Sequence, residues 1–135
     1  MKILFLVFTL LLSTGIKCFS QHLIGVDKSM ITTVVRKEMK GFHIDNSAKN
    51  QKFNYLKFVN SAGTKTLIVF FDDRNISSAT RLICEFSELN FLLPQLNNAY
   101  KKTAENSWEY AVNSENFEVT LEKKEWYFVI NTKKK

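Results

Sequence analysis

Glycine is scarce in this chain: there are four in 135 residues, with one proline, two cysteines and two histidines. Each scarcity removes a class of site. The glycines are unclustered, so no glycine-rich loop is available to wrap backbone N–H groups around a phosphate. His22 lies near the start of the chain. His43 has Asp45 as its only neighbouring carboxylate, too few ligands for a metal, so no metal site is expected. No Gly-x-Ser-x-Gly elbow and no Cys–His pairing is present. Asp72-Asp73-Arg74-Asn75 puts two acids side by side. A calcium loop needs about six oxygens with acids at alternate positions, and acid–base chemistry needs two carboxyls in distinct environments. Asp and Asn there read as hairpin-turn residues. The sequence therefore assigns no catalytic residue and no cofactor.

Long apolar runs are also missing. The stretch Ile3–Leu12 is well short of the ~20 residues a spanning helix needs, so no stable membrane span is expected. It has the length of a signal-peptide core, preceded by basic Met1-Lys2 and followed by Cys18-Phe19-Ser20. Small residues at Cys18 and Ser20 place the cut before Gln21, giving a signal peptide over 1–20 and an exported chain, periplasmic or extracellular. Lipidation at Cys18 would want a small residue before it, but Lys17 stands there, so a surface lipoprotein is not expected. A cut after Gly15 would instead keep Cys18 and let it pair with Cys84. With the cut at Gln21, Cys84 is the one remaining cysteine, and its strand-like flanks, Leu82 to Phe86, read it as a buried small hydrophobe. Asn75-Ile76-Ser77 matches a glycosylation acceptor, a common chance match in a chain whose leader looks bacterial.

Charge of one sign is not concentrated. Losing Lys2 and Lys17 with the leader takes the formal net charge from +6 to +4. The remaining lysines alternate with acids or sit at the end, where Lys133-Lys134-Lys135 reads as a frayed tail. A nucleic-acid groove needs clustered basic charge with interleaved aromatics, so nucleic acid is not an expected partner.

What is present is periodicity. Asp27 is a good N-cap for a helix over Lys28–Lys40, with Met30, Ile31, Val34, Val35 and Met39 as its apolar stripe and Gly41 as its left-handed stop. Three strands follow, over Phe53–Val59, Thr66–Phe71 and Ser78–Phe86. Ser87 then caps a second helix whose stripe runs from Leu89 through Leu92, Leu93, Leu96 and Tyr100 to Thr103, ending near Ala104. Pro94 is its one defect and should kink it or delay its start. Three more strands begin at Trp108, Phe117 and Trp126. Tyr55–Ser61 aligns with Trp108–Ser114, and Val-Asn-Ser ends the first strand of each half. The residues read as a tandem α-β-β-β repeat, 26–86 and 87–132, in one domain over 21–135. The fold class is α+β: an antiparallel sheet of about six strands with two helices on one face. Trp108, Tyr110, Phe117, Val119, Leu121, Trp126, Phe128 and Ile130 should face the helices, and Glu109, Glu118, Thr120, Glu122 and Asn131 the water.

This element order resembles that of small exported Bacteroidetes proteins of the PepSY-like, β-lactamase-inhibitor-protein-like and SmpA-like tandem α-β modules. The resemblance implies a binding or inhibitory module rather than an enzyme. It carries no signature residue, so it transfers no site. A type III secretion-chaperone-like arrangement is the structural alternative.

One pattern points to a surface. In the first half both faces of the strands are apolar: Leu67, Val69 and Phe71 on one side, Ile68 and Phe70 on the other. The second face is either covered by the protein's own loops, with Phe42–Ile44 as the nearest candidate, or an apolar patch holding Tyr55, Ile68 and Phe70 that meets a protein partner or a second copy. The sequence reads as a non-enzymatic exported interaction module. The alternatives are a small hydrolase using His43 with Asp45 or Asp72 with Asp73, and a structural envelope subunit.

Overall fold

The computed structural model describes residues 23–47 and 52–135. The leader, its cleavage site, Cys18 and His22 lie outside the described residues. The elements run α1 (Lys28–Glu38), β1 (Phe42–Ile44), β2 (Tyr55–Asn60), β3 (Lys65–Phe71) and β4 (Ser77–Glu85), then α2 (Leu89–Ala99), β5 (Lys101–Ala104), β6 (Ser107–Val112), β7 (Glu115–Lys123) and β8 (Tyr127–Lys134). All eight strands form one antiparallel sheet in the order β1-β2-β3-β4-β8-β7-β6-β5. The fold is α+β as expected, but with eight strands rather than about six. Read outward from the β4·β8 pair, each side repeats the same descending order, so the sheet is two four-strand meanders joined at their last strands.

The first extra strand is β1, whose Phe42 and Ile44 pack against the core. It is a sheet edge, which corrects the expectation that Phe42–Ile44 folds over the second face. The other extra strand is β5, which the helical stripe had absorbed. Thr103 lies in this edge strand, not on a helix. α2 stops at Ala99, and Tyr100 is already extended. Asn97 and Asn98 are weak helix formers, and Lys101 and Lys102 pair with Glu109 and Trp108 instead. Two further corrections concern α2: a 3₁₀ turn over Phe86–Glu88 leads into it in place of a Ser87 cap, and Pro94 sits within it. α1 follows its signals, with Asp27 Oδ1 accepting from Ser29 N–H at 2.9 Å and Gly41 at φ +89°.

Hairpins need left-handed residues, and with few glycines asparagine supplies most of them. Asn75, Asn106 and Asn113 all have positive φ, as does Ser114. Asn113-Ser114 is a two-residue loop between Val112 and Glu115 with both residues left-handed, the geometry that matches the twist of the flanking strands. Asn60 stands at the matching β2–β3 turn, where its Oδ1 accepts from Lys65 N–H at 2.9 Å and Gly63 takes φ +72°.

The inner face carries the core. Phe58, Leu67, Leu82, Ile130 and Leu121 are cross-strand neighbours on it and all are buried. Ile31 and Val35 of α1 and Leu92 and Leu96 of α2 join them in the same cluster. Trp108 is fully buried, but Trp126 is 78% exposed. That corrects the inward placement of Trp126: it has the parity of Phe128, but β8 begins at Tyr127, and Trp126 falls in the turn that Lys124 N–H closes on the Tyr127 carbonyl. The tail is also not frayed, since β8 reaches Lys134, and Lys133, Lys134 and Lys135 pair with Glu118, Glu115 and Glu109.

Tyr110 stacks between Tyr100 and Phe117, with centroids 4.7 and 5.0 Å away. Among the described residues its hydroxyl is buried without a hydrogen-bond partner, and burial pushes its pKa up to about 12. Removing a buried hydroxyl that has no partner relieves desolvation. Tyr110→Phe should therefore leave stability unchanged or raise it, and a drop of more than ~1 kcal/mol in urea unfolding would show that the hydroxyl has a partner after all.

Candidate functional site

The outer face of the sheet can be read row by row from the strand register. One row runs Tyr55, Phe70, Ala79, Lys133, Glu118, Glu109, Lys101. The next runs Lys57, Ile68, Arg81, Asn131, Thr120, Ser107. A third runs His43, Val59, Thr66, Ile83, Val129, Glu122. The β2–β4 side holds the aromatic and most of the aliphatic residues, with Lys57, Thr66 and Arg81 among them, while the β6–β8 side, Val129 apart, is polar and carries ion pairs such as Lys133–Glu118 at 3.9 Å and Lys135–Glu109. The second half of the sequence does present the polar outer face its alternation predicts.

Tyr55, Ile68 and Phe70, the three residues singled out in the sequence, come together on this face. All are half-buried, and the Tyr55 and Phe70 rings lie 6.4 Å apart. With Phe53, Lys57, Thr66 and Ile83 they line a shallow depression of about 440 Å³. Phe53 stands at its rim and is 61% exposed. A second depression of about 410 Å³ adjoins it, with Phe70 as the shared wall. Ala79 helps to form that floor, because a small side chain there leaves room between Phe70 and Lys133. The rest of its lining is polar and includes Arg81, Glu118, Thr120 and Asn131. Arg81 was not singled out by sequence reasoning. Its signal was available, since it is the cation at the outward position of the cleanly alternating strand 77–85. Its guanidinium carbon lies 5.8 Å from the Phe70 ring centre, and its Nε donates to Asn131 Oδ1 at 3.1 Å.

The residues considered for acid–base chemistry are otherwise occupied or apart. His43 is exposed on the outward side of the edge strand β1. The Asp45 carboxylate accepts from the Ser47 hydroxyl and N–H and pairs with Lys57 at 3.2 Å. Those Ser47 bonds, aided by Lys57, hold its pKa down to about 2. A carboxyl held low in the fold adds stability above the ordinary carboxylate range and loses it as pH falls through the folded value. The stability difference between the wild type and Asp45→Asn should thus be present at neutral pH and vanish near pH 2. An unchanging difference across that window in pH-dependent unfolding would contradict the pairing. Asp72 serves its turn, accepting from Arg74 and Ile76 N–H, chiefly the latter of which lowers its pKa. Asp73 is exposed. Cys84 is buried on the inner face and is a free cysteine among the described residues, and burial pushes its thiol up to about 12. A thiol so placed carries little thiolate.

A second group of exposed aromatics lies at the β7–β8 turn, where Trp126 and Tyr127 neighbour Phe86 through the Glu85–Tyr127 pairing. Glu85, Glu122 and Glu125 are interspersed with it. No protein-family model matches the chain, and neither a curated protein nor a solved structure matches it. The site's geometry therefore carries the functional reading.

Proposed function

We propose that this protein is an exported, non-enzymatic interaction module whose β2–β4 outer face docks a protein partner. One observation carries the reading. The half-exposed aromatic and aliphatic cluster of Phe53, Tyr55, Ile68, Phe70 and Ile83 stands on one half of a face whose other half is closed by ion pairs. Contiguous exposed apolar patches rimmed by polar groups mark contact surfaces. The engagement of Asp45 and Asp72 in their own turns favours this over a hydrolase. The mirrored strand order supports descent from a duplicated helix-plus-meander unit, one copy keeping a polar outer face and the other becoming the docking face. Export rests on the leader-like segment 1–20. Mass spectrometry of the product from its natural host should find Gln21 at the N-terminus, and an intact Met1 would contradict it.

The test of the docking face is site-specific photocrosslinking in the natural host. Benzoylphenylalanine at Phe53 or at Phe70 should give one discrete adduct, while the same group at Glu105, in the exposed β5–β6 turn, gives none. An adduct at twice the protein's own mass would identify the partner as a second copy. No adduct from either position would remove the reading.

A further inference from the structure

We infer that the partner presents an acidic segment, in which a carboxylate binds Arg81 while a neighbouring apolar side chain fills the depression between Phe53 and Ile83. The inference rests on the interaction-module reading and adds the chemistry of the ligand. Lys57 has Asp45 at 3.2 Å, Lys133 has Glu118 at 3.9 Å, and Lys135 has Glu109. Among the described residues no carboxylate lies within ion-pair reach of Arg81. Glu122 feels its charge from further away but is bonded to Lys124. Among the described residues, Arg81 is thus the cation lining the two depressions that has no acid within ion-pair reach, Lys101 lying away from them on the far edge strand β5.

It is also held for use. The Nε bond to Asn131 fixes one edge of the guanidinium, and the Phe70 ring lies beside the group. A planar guanidinium held this way keeps two terminal N–H groups in a fork that matches a carboxylate. Phe70 is the wall common to the apolar and the polar depression, so a ligand with an anion beside an apolar group can reach Arg81 and fill the apolar depression together. Both depressions are shallow and open, whereas a free small molecule or acyl chain is usually buried over most of its surface. A protein segment brings its own covering surface. Without the leader's Lys2 and Lys17, the formal net charge of +4 also steers acidic partners towards the protein.

The test uses isotope-labelled protein and three probes: acetyl-Glu-Phe-Leu-Glu-amide, its neutral counterpart acetyl-Gln-Phe-Leu-Gln-amide, and N-acetylphenylalanine, which carries its carboxylate at a chain end. The acidic tetrapeptide should shift the Arg81 Nε–H and the backbone amides of residues 66–70 and 79–83 in a saturable way. Affinity should fall at least about threefold for the neutral peptide, by a similar factor for Arg81→Gln, and further with added salt. Arg81 is exposed, so Arg81→Gln should melt with the wild type, and this is checked alongside. Equal binding of the acidic and neutral peptides overturns the assignment of Arg81 and leaves the module reading standing. Shifts from neither peptide, or shifts confined to Trp126 and its neighbours, overturn the inference as well. Tighter binding of N-acetylphenylalanine than of the tetrapeptide overturns the acidic segment in favour of a chain terminus. The module reading fails separately, through absent adducts at Phe53 and Phe70.

Discussion

Trp108→Ala should destabilise the protein by about 3–5 kcal/mol, a large part of the ~5–15 kcal/mol available to a domain of this size. Trp108 is fully buried on the inner face of β6, and its Nε1–H donates to Asn97 Oδ1 of α2 at 2.9 Å. The substitution removes the ring that fills the space under α2, and the small residue leaves a cavity. It also strips Asn97 of its donor. Trp108→Phe separates the two effects: most of the packing remains, and the loss should shrink to roughly 1–3 kcal/mol. Trp126→Ala is the contrast. With that ring 78% exposed in a turn, its removal should change stability by no more than ~0.5 kcal/mol. Urea unfolding of the three variants measures all of this. Similar losses at Trp108 and Trp126 would show that the β7–β8 turn is packed against the body of the protein.

The second large effect lies at the junction of the two meanders. Leu82 of β4 and Ile130 of β8 are direct cross-strand partners, both buried. Each, truncated to alanine, should cost about 2–5 kcal/mol. The informative quantity is their coupling. Residues in contact typically show interaction energies of about 0.5–3 kcal/mol, whereas distant ones add within a few tenths. A double-mutant cycle should therefore reveal non-additivity for Leu82→Ala with Ile130→Ala. Strict additivity would mean that β4 and β8 do not pair and that the two halves form separate sheets. The docking face would then lose its continuity with Asn131, which orients Arg81.

Much of this arrangement was legible in the sequence, for identifiable reasons. α1 announced itself because Asp27, the 3–4 spacing of Ile31 and Val35, and Gly41 all agree. The inner faces of β4, β6 and β7 were readable because one side of each meets the core and the other does not. β1 and β5 were not legible. Edge strands of three and four residues are too short to show a period, and their pairing is decided by partners far along the chain. Thr103 shows the failure directly, since a helical spacing from Leu96 and Tyr100 continued by chance into a strand. Trp126 failed differently: parity was right, but where β8 begins is set by the turn and not by the pattern. In the site, Tyr55, Ile68 and Phe70 were legible as apolar residues at outward parity. For Arg81 only the outward position was legible; its role was not, because that depends on which residues β3 and β8 place beside it, and register is invisible in a single strand.

The central claim is that the outer face of β2–β4 is the working surface. Hydroxyl-radical footprinting of the purified protein and of the protein in native host extract tests it most directly. In the purified protein, Phe53, Tyr55 and Phe70 should be modified, while the buried Phe58, Trp108 and Phe128 stay silent. In the extract, protection should appear at Phe53, Tyr55 and Phe70 and not at Trp126. Equal modification of Phe53, Tyr55 and Phe70 in the purified protein and in the extract, or protection at Trp126 alone, would contradict the account.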